Sequence, residues 1–269
     1  MKLNRKLCFY FLITILMGGC QKKQDILTQA KTDDYASSNS ETHEGFGGEK
    51  QSNKDFIYDN PIEGITVGIT IKNDQSNDRV VYVNRDVTGL EFFKLYFTAI
   101  EGLGQLESLD TLFFSMVIDL SNLTFLSEIP HLKRLFIDYS QENIDWSSIG
   151  QLPDLEVLHI SGYRQPAIGI DLENNKHLEY VGFTGGLETF PTLLNAPNSL
   201  KYVNLQSNNI TSLPLDFEMP SRTTVLMGIN PFKKDATTPS NVTVEFASKI
   251  LEQKYLEPTN LLYISGRGD

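Results

Sequence analysis

Apolar residues recur with one fixed spacing along the middle of the chain. The period is 23 residues and shortens to 22 towards the C-terminal end, with copies of an L-x-x-L-x-L pattern beginning at Leu109, Leu132, Leu155, Leu178 and Leu200. Periods of this length are typical of stacked repeats, in which each unit buries its apolar face against the next. The pattern therefore predicts a solenoid over residues 103–232.

The most complete repeat, at 200–214, reads L-K-Y-V-N-L-Q-S-N-N-I-T-S-L-P. Its leucines and Asn208 resemble the leucine-rich repeat family, most of all the 22-residue bacterial repeats of internalin-like surface proteins. The resemblance implies an α/β-type leucine-rich repeat solenoid, with a concave parallel β-sheet and with turns or short 3-10 segments on the convex side. It also implies that Asn208 bonds the backbone of its turn. Among the other copies only Asn230 repeats this residue, so irregular turns are expected around Tyr163 and Gly186.

The two ends of a solenoid need caps, because the first and last repeats would otherwise expose apolar surface. Alternating apolar residues over 65–71 and 80–83 predict two strands joined by a polar turn. We therefore expect an N-terminal β cap with a degenerate first repeat over 58–102. Apolar residues at helical spacing predict a C-terminal helical cap within 233–269, where 261–264 is also a candidate short strand.

The residues between the repeated leucines are expected on the concave face, because side chains alternate along a strand. Neighbouring strands lie about 4.8 Å apart, so each row of such residues is roughly 25 to 30 Å long, a footprint that suits a protein or an oligomer. Aromatic rings beside an arginine are also typical of binding hot spots. The predicted partner-binding residues are Phe92, Phe113, Arg134, Phe136, His159, Tyr180, Tyr202 and Asn204.

Two alternatives remain open for these residues. The N-terminal cap could cover the aromatic side chains. A register slip of one residue would instead turn them into the core, since it moves every side chain to the other face of a strand.

The N-terminus combines basic residues, an apolar run at 7–17 and the sequence Gly18-Gly19-Cys20. Such an arrangement is typical of a secretory signal. It resembles the lipobox of bacterial lipoproteins, which implies removal of residues 1–19 and lipidation of Cys20. Residues 20–57 are polar and lack apolar periodicity, so they are expected to form a flexible tether. The expected location is the bacterial cell envelope, at the outer membrane or cell surface.

Charge restricts the partners that such a protein could bind. The chain carries 23 Lys and Arg residues against 34 Asp and Glu residues, a net charge of −11. Losing the leader, with its three basic residues, would make the net charge −14. An acidic surface disfavours nucleic acid and anionic membrane as partners. No disulfide is expected, because Cys8 and Cys20 are the only cysteines.

Catalytic motifs are not evident in the sequence. It lacks G-x-S-x-G, H-E-x-x-H and a phosphate-binding glycine loop, and its four histidines are not at metal or triad spacing. No cofactor, metal or enzymatic activity is therefore expected. The terminal Arg267-Gly268-Asp269 is similar to an integrin-binding motif, a tripeptide short enough to arise by chance.

The sequence thus predicts a lipid-anchored envelope protein that binds a protein partner, for adhesion or interaction at the surface. The alternative is a glycan-binding or envelope-structural module, with the aromatic residues stacking on sugar rings. Sugar sites favour tryptophan, but the only one, Trp146, falls in a predicted turn. Protein binding is therefore the first hypothesis, although leucine-rich repeats support many unrelated functions.

Overall fold

In the computed structural model, all described residues belong to one compact unit, Gln51–Asp269. The leader, Cys20, most of the tether, most of the expected helical cap and the terminal 266–269 lie outside the described residues. The described residues are 57–58, 60–73, 77–117, 120, 122–139, 144–162, 168–214, 219–231, 242–246, 251, 255 and 261–265.

The main element is a nine-stranded sheet in which every neighbouring pair is parallel. Seven of its strands follow one another around the solenoid before the C-terminal residues. Their bounds are Gly89–Phe93 (β4), Thr111–Val117 (β6), Arg134–Tyr139 (β7), Val157–Gly162 (β8), Tyr180–Thr184 (β10), Tyr202–Asn204 (β12) and Thr224–Leu226 (β13). The last two are Thr243–Glu245 (β14) and Leu262–Ser265 (β15).

The apolar spacing of the sequence sets the register of this sheet. Leu112 lies opposite Leu135, and Leu135 lies opposite Leu158. These residues, 23 apart in sequence, are all completely buried. Burying one such side chain contributes about 1.5 to 3 kcal/mol, so one leucine position repeated in every turn supplies a large share of the stability. The predicted solenoid of stacked repeats is confirmed.

The chain between the strands is short and locally folded. Three 3-10 segments, Leu103–Gln105, Thr124–Glu128 and Ser147–Gln151, occupy successive turns of the solenoid. Strands Gly169–Asp171 (β9) and Thr192–Leu194 (β11) then form a two-stranded parallel sheet. The expected short 3-10 segments are therefore present. The described part of the chain contains no α-helix, and residues 243–245 of the expected helical cap form a strand of the main sheet instead.

A left-handed residue recurs where the chain leaves the main strands. The φ angles are 51° at Lys94, 55° at Met116, 107° at Gly185, 62° at Ser207 and 61° at Ile229. Residues other than glycine rarely adopt this conformation, which costs about 1 to 2 kcal/mol at each position. Its return at the same place in several repeats indicates that the sharp turn is a property of the repeat.

The N-terminal residues form a separate antiparallel sheet. It contains Ile57–Tyr58 (β1), Thr66–Lys72 (β2), Arg79–Asn84 (β3) and Ala99–Glu101 (β5), in the order β1-β3-β2-β5. The alternating residues Val67, Ile69 and Ile71 are buried and belong to the same apolar core as the solenoid leucines. The two predicted cap strands are thus confirmed as β2 and β3.

The first repeat has a different register from the one expected. Phe92 pairs with Phe114, and Glu91 pairs with Phe113. Phe92 therefore belongs to the core and is completely buried, stacked at 5.4 Å on the Phe114 ring. Its predicted place on the binding face is wrong, because the strand is displaced by three residues from the assumed alignment. An odd displacement exchanges the two faces of a strand.

The C-terminal residues are not confined to the last repeat. Strand β15 is the last strand in sequence, yet it pairs with β4 at the opposite end of the sheet. Its presence confirms the candidate strand at 261–264. Leu251, Tyr255 and Leu261 join an apolar cluster with residues of five earlier strands. We call Leu251, Tyr255, Leu261 and β15 together the C-terminal cover.

Candidate functional site

The sheet presents three rows of side chains on the face turned away from the main core, which we call the outer face. This is the face that the sequence predicts to be concave and to bind a partner. The first row is Thr111, Arg134, Val157, Tyr180, Tyr202 and Thr224. The central row is Glu91, Phe113, Phe136, His159, Gly182, Asn204 and Leu226. The third row is Phe93, Ser115, Asp138, Ser161 and Thr184.

Most of the predicted aromatic binding strip is buried. Phe113 is 7% exposed, Phe136 1% and Tyr180 1%. All three share one apolar cluster with Leu251, Tyr255 and Leu261 of the C-terminal cover. The expected exposure of these rings is therefore wrong, and the covering residues come from the C-terminus rather than from the N-terminal cap.

The rings form a continuous ladder along the sheet, in which His159 is half-buried and the other rings are buried. Phe113 packs edge-on against Phe136 at 5.9 Å, and Phe136 stacks on His159 at 6.3 Å. His159 stacks on Tyr180 at 6.1 Å. Tyr255 of the cover stacks on Tyr180 at 5.1 Å. Each such pair contributes about 0.5 to 1.5 kcal/mol beyond the burial of its area, so the ladder binds the cover to the sheet.

A polar network crosses the ladder at Tyr180. The Tyr180 hydroxyl lies 3.0 Å from His159 Nδ1 and accepts a hydrogen bond at 3.0 Å from Asn204 Nδ2. The other ring nitrogen of His159, Nε2, lies 3.2 Å from the Thr184 hydroxyl. Since the Tyr180 hydroxyl accepts from Asn204, its own proton is free to be donated to Nδ1; in that tautomer Nε2 carries the imidazole proton and faces the Thr184 hydroxyl. The network therefore holds His159 as a neutral side chain with both nitrogens occupied.

Burial determines the ionisation of both rings. It lowers the pKa of His159 to about 4. Burial also raises the pKa of Tyr180, and the hydrogen bond from Asn204 opposes that rise. Both residues are consequently uncharged at neutral pH, as a desolvated site requires.

Gly182 makes this network possible. It lies between His159 and Asn204 in the central row. A Cβ atom at this position would come within 2.4 Å of the Tyr180 hydroxyl and 2.5 Å of His159 Nδ1. The Tyr180 hydroxyl therefore occupies the space that a side chain at position 182, two residues along the same strand, would need.

Two strips of the outer face remain reachable beside the covered ladder. Arg134, Tyr202 and Thr224 of the first row are half-buried, and Arg134 Nε donates to the Thr111 hydroxyl at 3.0 Å. In the third row, Phe93, Asp138, Ser161 and Thr184 are also half-buried. The reachable part of the outer face is thus mainly polar, and its aromatic rings are Phe93 and Tyr202.

An ion pair lies beside the cover, between the residues that precede Tyr202 and Tyr180 in sequence. Lys201 Nζ lies 2.7 Å from Glu179 Oε1, with 52% of the lysine side chain exposed. The other oxygen of Glu179 accepts a hydrogen bond from the Tyr255 hydroxyl at 3.1 Å. Exposed ion pairs contribute about 0 to 1 kcal/mol, so this pair orients Tyr255 more than it stabilises the fold.

The eight predicted site residues divide into three groups. Phe113, Phe136, His159, Tyr180 and Asn204 come together in the ladder and its network. Arg134 and Tyr202 remain reachable, and Phe92 lies in the core. The sequence assigned Tyr255 to the apolar face of a cap helix over the last repeat, and it gave no signal for the contact of Tyr255 with Tyr180 on the outer face.

The described ranges contain neither a metal-binding cluster nor a membrane-spanning helix. There, no group of three or more His, Cys, Asp or Glu side chains could hold a metal ion. None of the helical segments seen in that part of the chain has the length and apolarity to cross a bilayer.

The fold and the outer face define a parallel β-solenoid repeat protein with a partly covered sheet. No protein-family model matches the chain, and no curated protein matches it.

Proposed function

We propose that this chain is a lipid-anchored leucine-rich repeat protein of the bacterial cell envelope that binds a protein partner through its outer face. The observation that carries the proposal is the continuous parallel sheet with two reachable strips beside the covered ladder. Eight strand spacings of about 4.8 Å make the face roughly 38 Å long, which suits a protein-sized footprint. Its role is binding rather than catalysis.

The asparagine contacts support membership of the leucine-rich repeat family. Asn208 Nδ2 donates to the carbonyls of Phe183 and Leu205 at 2.7 and 2.9 Å, and its Oδ1 accepts from the Gly186 and Leu187 amides at 3.1 Å. These are the turn contacts that the family resemblance implies for this residue. Asn230 repeats them one turn later, donating to Leu205 and Met227.

The envelope location rests on the sequence of the N-terminus. Basic residues, a short apolar run and Gly18-Gly19-Cys20 favour export and lipidation at Cys20. The polar residues that follow would then separate the solenoid from the membrane, at the outer membrane or cell surface. The acidic balance of the chain, with a net charge of −11, favours neutral or basic partners.

The composition of the first-row strip favours protein over glycan. Arginine and tyrosine are among the residue types most enriched in protein hot spots, and Arg134 and Tyr202 are both half-buried. The glycan alternative loses support, because the aromatic ladder that would stack on sugars is covered. Trp146 is also 7% exposed, which removes the side chain that sugar sites favour.

Site-specific photo-crosslinking tests the proposal. A benzophenone amino acid is placed at Ser161, in the third row of the outer face, and irradiated in cells of the source organism. The matched control is Leu194, which is 53% exposed in the small β9–β11 sheet. We expect a discrete protein adduct from Ser161 that the Arg134→Ala/Tyr202→Ala double variant weakens. The proposal fails if Ser161 gives no adduct, or if Leu194 gives the same one.

A further inference from the structure

Arg134 lies in the first row of the outer face, between two side chains that are almost inaccessible. Thr111 on one side is 1% exposed, and Val157 on the other is 3% exposed. Arg134 itself is half-buried. Arginine side chains usually bury their aliphatic stem and leave the guanidinium reachable. The row thus holds a positive charge at one place between two buried neighbours.

Two hydrogen bonds in series orient this guanidinium. The Thr111 hydroxyl donates to Asp110 Oδ1 at 2.6 Å, which leaves its lone pairs for a donor on its other side. That donor is Arg134 Nε, at 3.0 Å. Asp110 thus orients Thr111, and Thr111 orients Arg134, in the absence of any partner. Such preorganisation lowers the entropic cost of binding.

The two Nη atoms of the guanidinium still have donors to offer. Arginine carries five N–H groups, of which the Nε–H is bound to Thr111. For the four on Nη1 and Nη2, the described residues provide neither a hydrogen bond nor an ion pair. A carboxylate can accept two parallel N–H bonds from this end, in the bidentate geometry that is frequent for arginine.

The residues directly before the first row form a charged line, which we call the rim. Each donates its backbone N–H to the carbonyl of the rim residue one strand earlier, at 2.8 or 2.9 Å, in the order Asp110, Lys133, Glu156, Glu179, Lys201. Lys201 already has a carboxylate, since its Nζ lies 2.7 Å from Glu179. Lys133 and Glu156 are exposed and form no ion pair with other described residues. Along the rim and first row, the positive charge available to a partner is therefore that of Lys133 and Arg134.

The flanking acids limit what can bind at this positive charge. Asp110 and Glu156 lie one strand to either side of Lys133 on the rim. Their strands are about 10 Å apart, twice the spacing of neighbouring strands. A single carboxylate can be accommodated between them, whereas a polyanion such as nucleic acid would be repelled by both acids. The charge pattern therefore selects one acidic group on an otherwise neutral or basic partner.

We infer that Arg134 is a specificity-determining residue of the outer face, whose two Nη atoms bind one carboxylate of the protein partner. That carboxylate belongs to an Asp or Glu side chain or to a chain terminus, and Lys133 adds a second positive charge beside it. Glu156, on the next strand, suits a basic group of the same partner. This inference rests on the proposed function and specifies the chemistry by which the partner is recognised.

The photo-adduct at Ser161 provides the first measurement. Arg134→Gln removes the charge and the Nη donors but keeps an amide that can donate to Thr111. Its matched control is Arg85→Gln, the same change at an exposed arginine of the N-terminal cap. We expect Arg134→Gln to lower the yield of the adduct at least about tenfold, the loss that follows from removing hydrogen bonds to a charged group. Arg85→Gln should change it less than about twofold, as a surface substitution does.

Zero-length crosslinking on the same cells shows whether the group opposite Arg134 is a carboxylate. A carbodiimide activates a carboxylate, and a primary amine in contact with it then displaces the urea and forms an amide. A guanidinium does not react in this way, so Arg134→Lys supplies the amine while keeping the positive charge. The chain also carries Lys133→Arg, which removes the adjacent amine. We expect an amide between position 134 and a carboxylate of the protein captured at Ser161, mapped by mass spectrometry of the isolated adduct.

A second arginine position controls for general reactivity of the carbodiimide. Arg85→Lys, in the same Lys133→Arg background, places an amine at an exposed position away from the nine-stranded sheet. It should give no amide to the captured protein. Circular dichroism of each variant shows that the solenoid is still folded.

Three results would overturn the inference. They are an unchanged Ser161 adduct in Arg134→Gln, no amide to the captured protein at position 134, and an equal yield of amide at position 85. In each of these cases the Ser161 adduct of the native chain remains, and the proposed function is unaffected. Absence of that adduct from the native chain would instead overturn both.

Discussion

The ring of Tyr255 stacks on the ring of Tyr180 at 5.1 Å, although Tyr180 lies in the middle of the solenoid and Tyr255 follows its last repeat. Tyr255 is 2% exposed, and its hydroxyl donates to Glu179, the residue before Tyr180. This one pair places the C-terminal cover on the outer face. It also explains why the face predicted to bind a partner is partly closed.

Truncating Tyr255 should destabilise the whole domain. Removing a buried aromatic ring leaves a cavity, so we expect Tyr255→Ala to lower the free energy of unfolding by about 3 to 5 kcal/mol. Chemical denaturation measures the change. Tyr263→Ala, at an exposed position in the same segment, should cost less than about 1 kcal/mol. Similar losses for both variants would contradict the burial of Tyr255 under native conditions.

Adding one methyl group at Gly182 should disrupt the polar network. The Cβ atom would lie 2.4 Å from the Tyr180 hydroxyl and 2.5 Å from His159 Nδ1, closer than such contacts allow. We expect Gly182→Ala to destabilise the fold by about 1 to 3 kcal/mol, as overpacking does. Gly169→Ala is the control, because an added Cβ there meets no atom within 4 Å. Thermal unfolding of the two variants should therefore differ clearly.

Stability should fall between neutral and acidic pH because of His159. Its pKa is about 4 in the folded protein, against an ordinary value of 6.5 for an exposed histidine, so the unfolded chain binds more protons between these values. The stabilisation is complete above pH 6.5 and is lost as the pH falls towards 4, by up to about 3 kcal/mol at about 1.36 kcal/mol for each pH unit.

The measurement is the free energy of unfolding at several pH values for the native chain and for His159→Gln. The variant has no imidazole to protonate, so its stability should decline less over the same interval. Carboxylates that titrate in this range affect both proteins equally and cancel in the comparison. Parallel pH profiles would show that the pKa of His159 does not differ between the folded and unfolded states.

The periodic part of the fold could be predicted from the sequence because its cause is local to each repeat. Leu112, Leu135 and Leu158 each follow the same spacing, and that spacing determines which neighbour they meet. The first repeat lacks this regularity. The L-x-x-L-x-L pattern also fits Leu90, Phe93 and Leu95, which puts Phe92 on the binding face, but the register that the strand adopts buries Phe92 in the core.

The place of the cover could not be predicted, although its last strand could, because nothing in a repeat specifies what packs on its outer face. Phe113 and Phe136 look like exposed hot-spot residues when only the repeats are considered. Their burial depends on contacts with Leu251, Tyr255 and Leu261, which follow the solenoid and carry no spacing that matches it. Long-range contacts of this kind depend on the shape and apolar area of surfaces that are far apart in sequence. The pairing of the final strand with β4 is a second contact of this kind.

Asn208 should be far more important for stability than its neighbour Asn209. Its side chain is 4% exposed and joins the backbone of two successive turns through hydrogen bonds to Phe183, Leu205, Gly186 and Leu187. Asn208→Ala leaves those buried groups unpaired, at about 1 to 3 kcal/mol for each one that water does not reach. Asn209 is exposed, so Asn209→Ala should change the unfolding free energy by less than about 0.5 kcal/mol. Chemical denaturation of the two variants measures the difference.

Replacing Cys20 tests the proposed anchor. If lipid is attached there, Cys20→Ser should move the protein from the membrane fraction to the soluble fraction of lysed cells, because a serine cannot form the thioether. Radiolabelled fatty acid should also label the native chain and not the variant. Cys8→Ser is the matched control, since Cys8 belongs to the leader and its loss should leave both readouts unchanged. Persistence of the Cys20→Ser protein in the membrane fraction would mean that another feature of the chain holds it there.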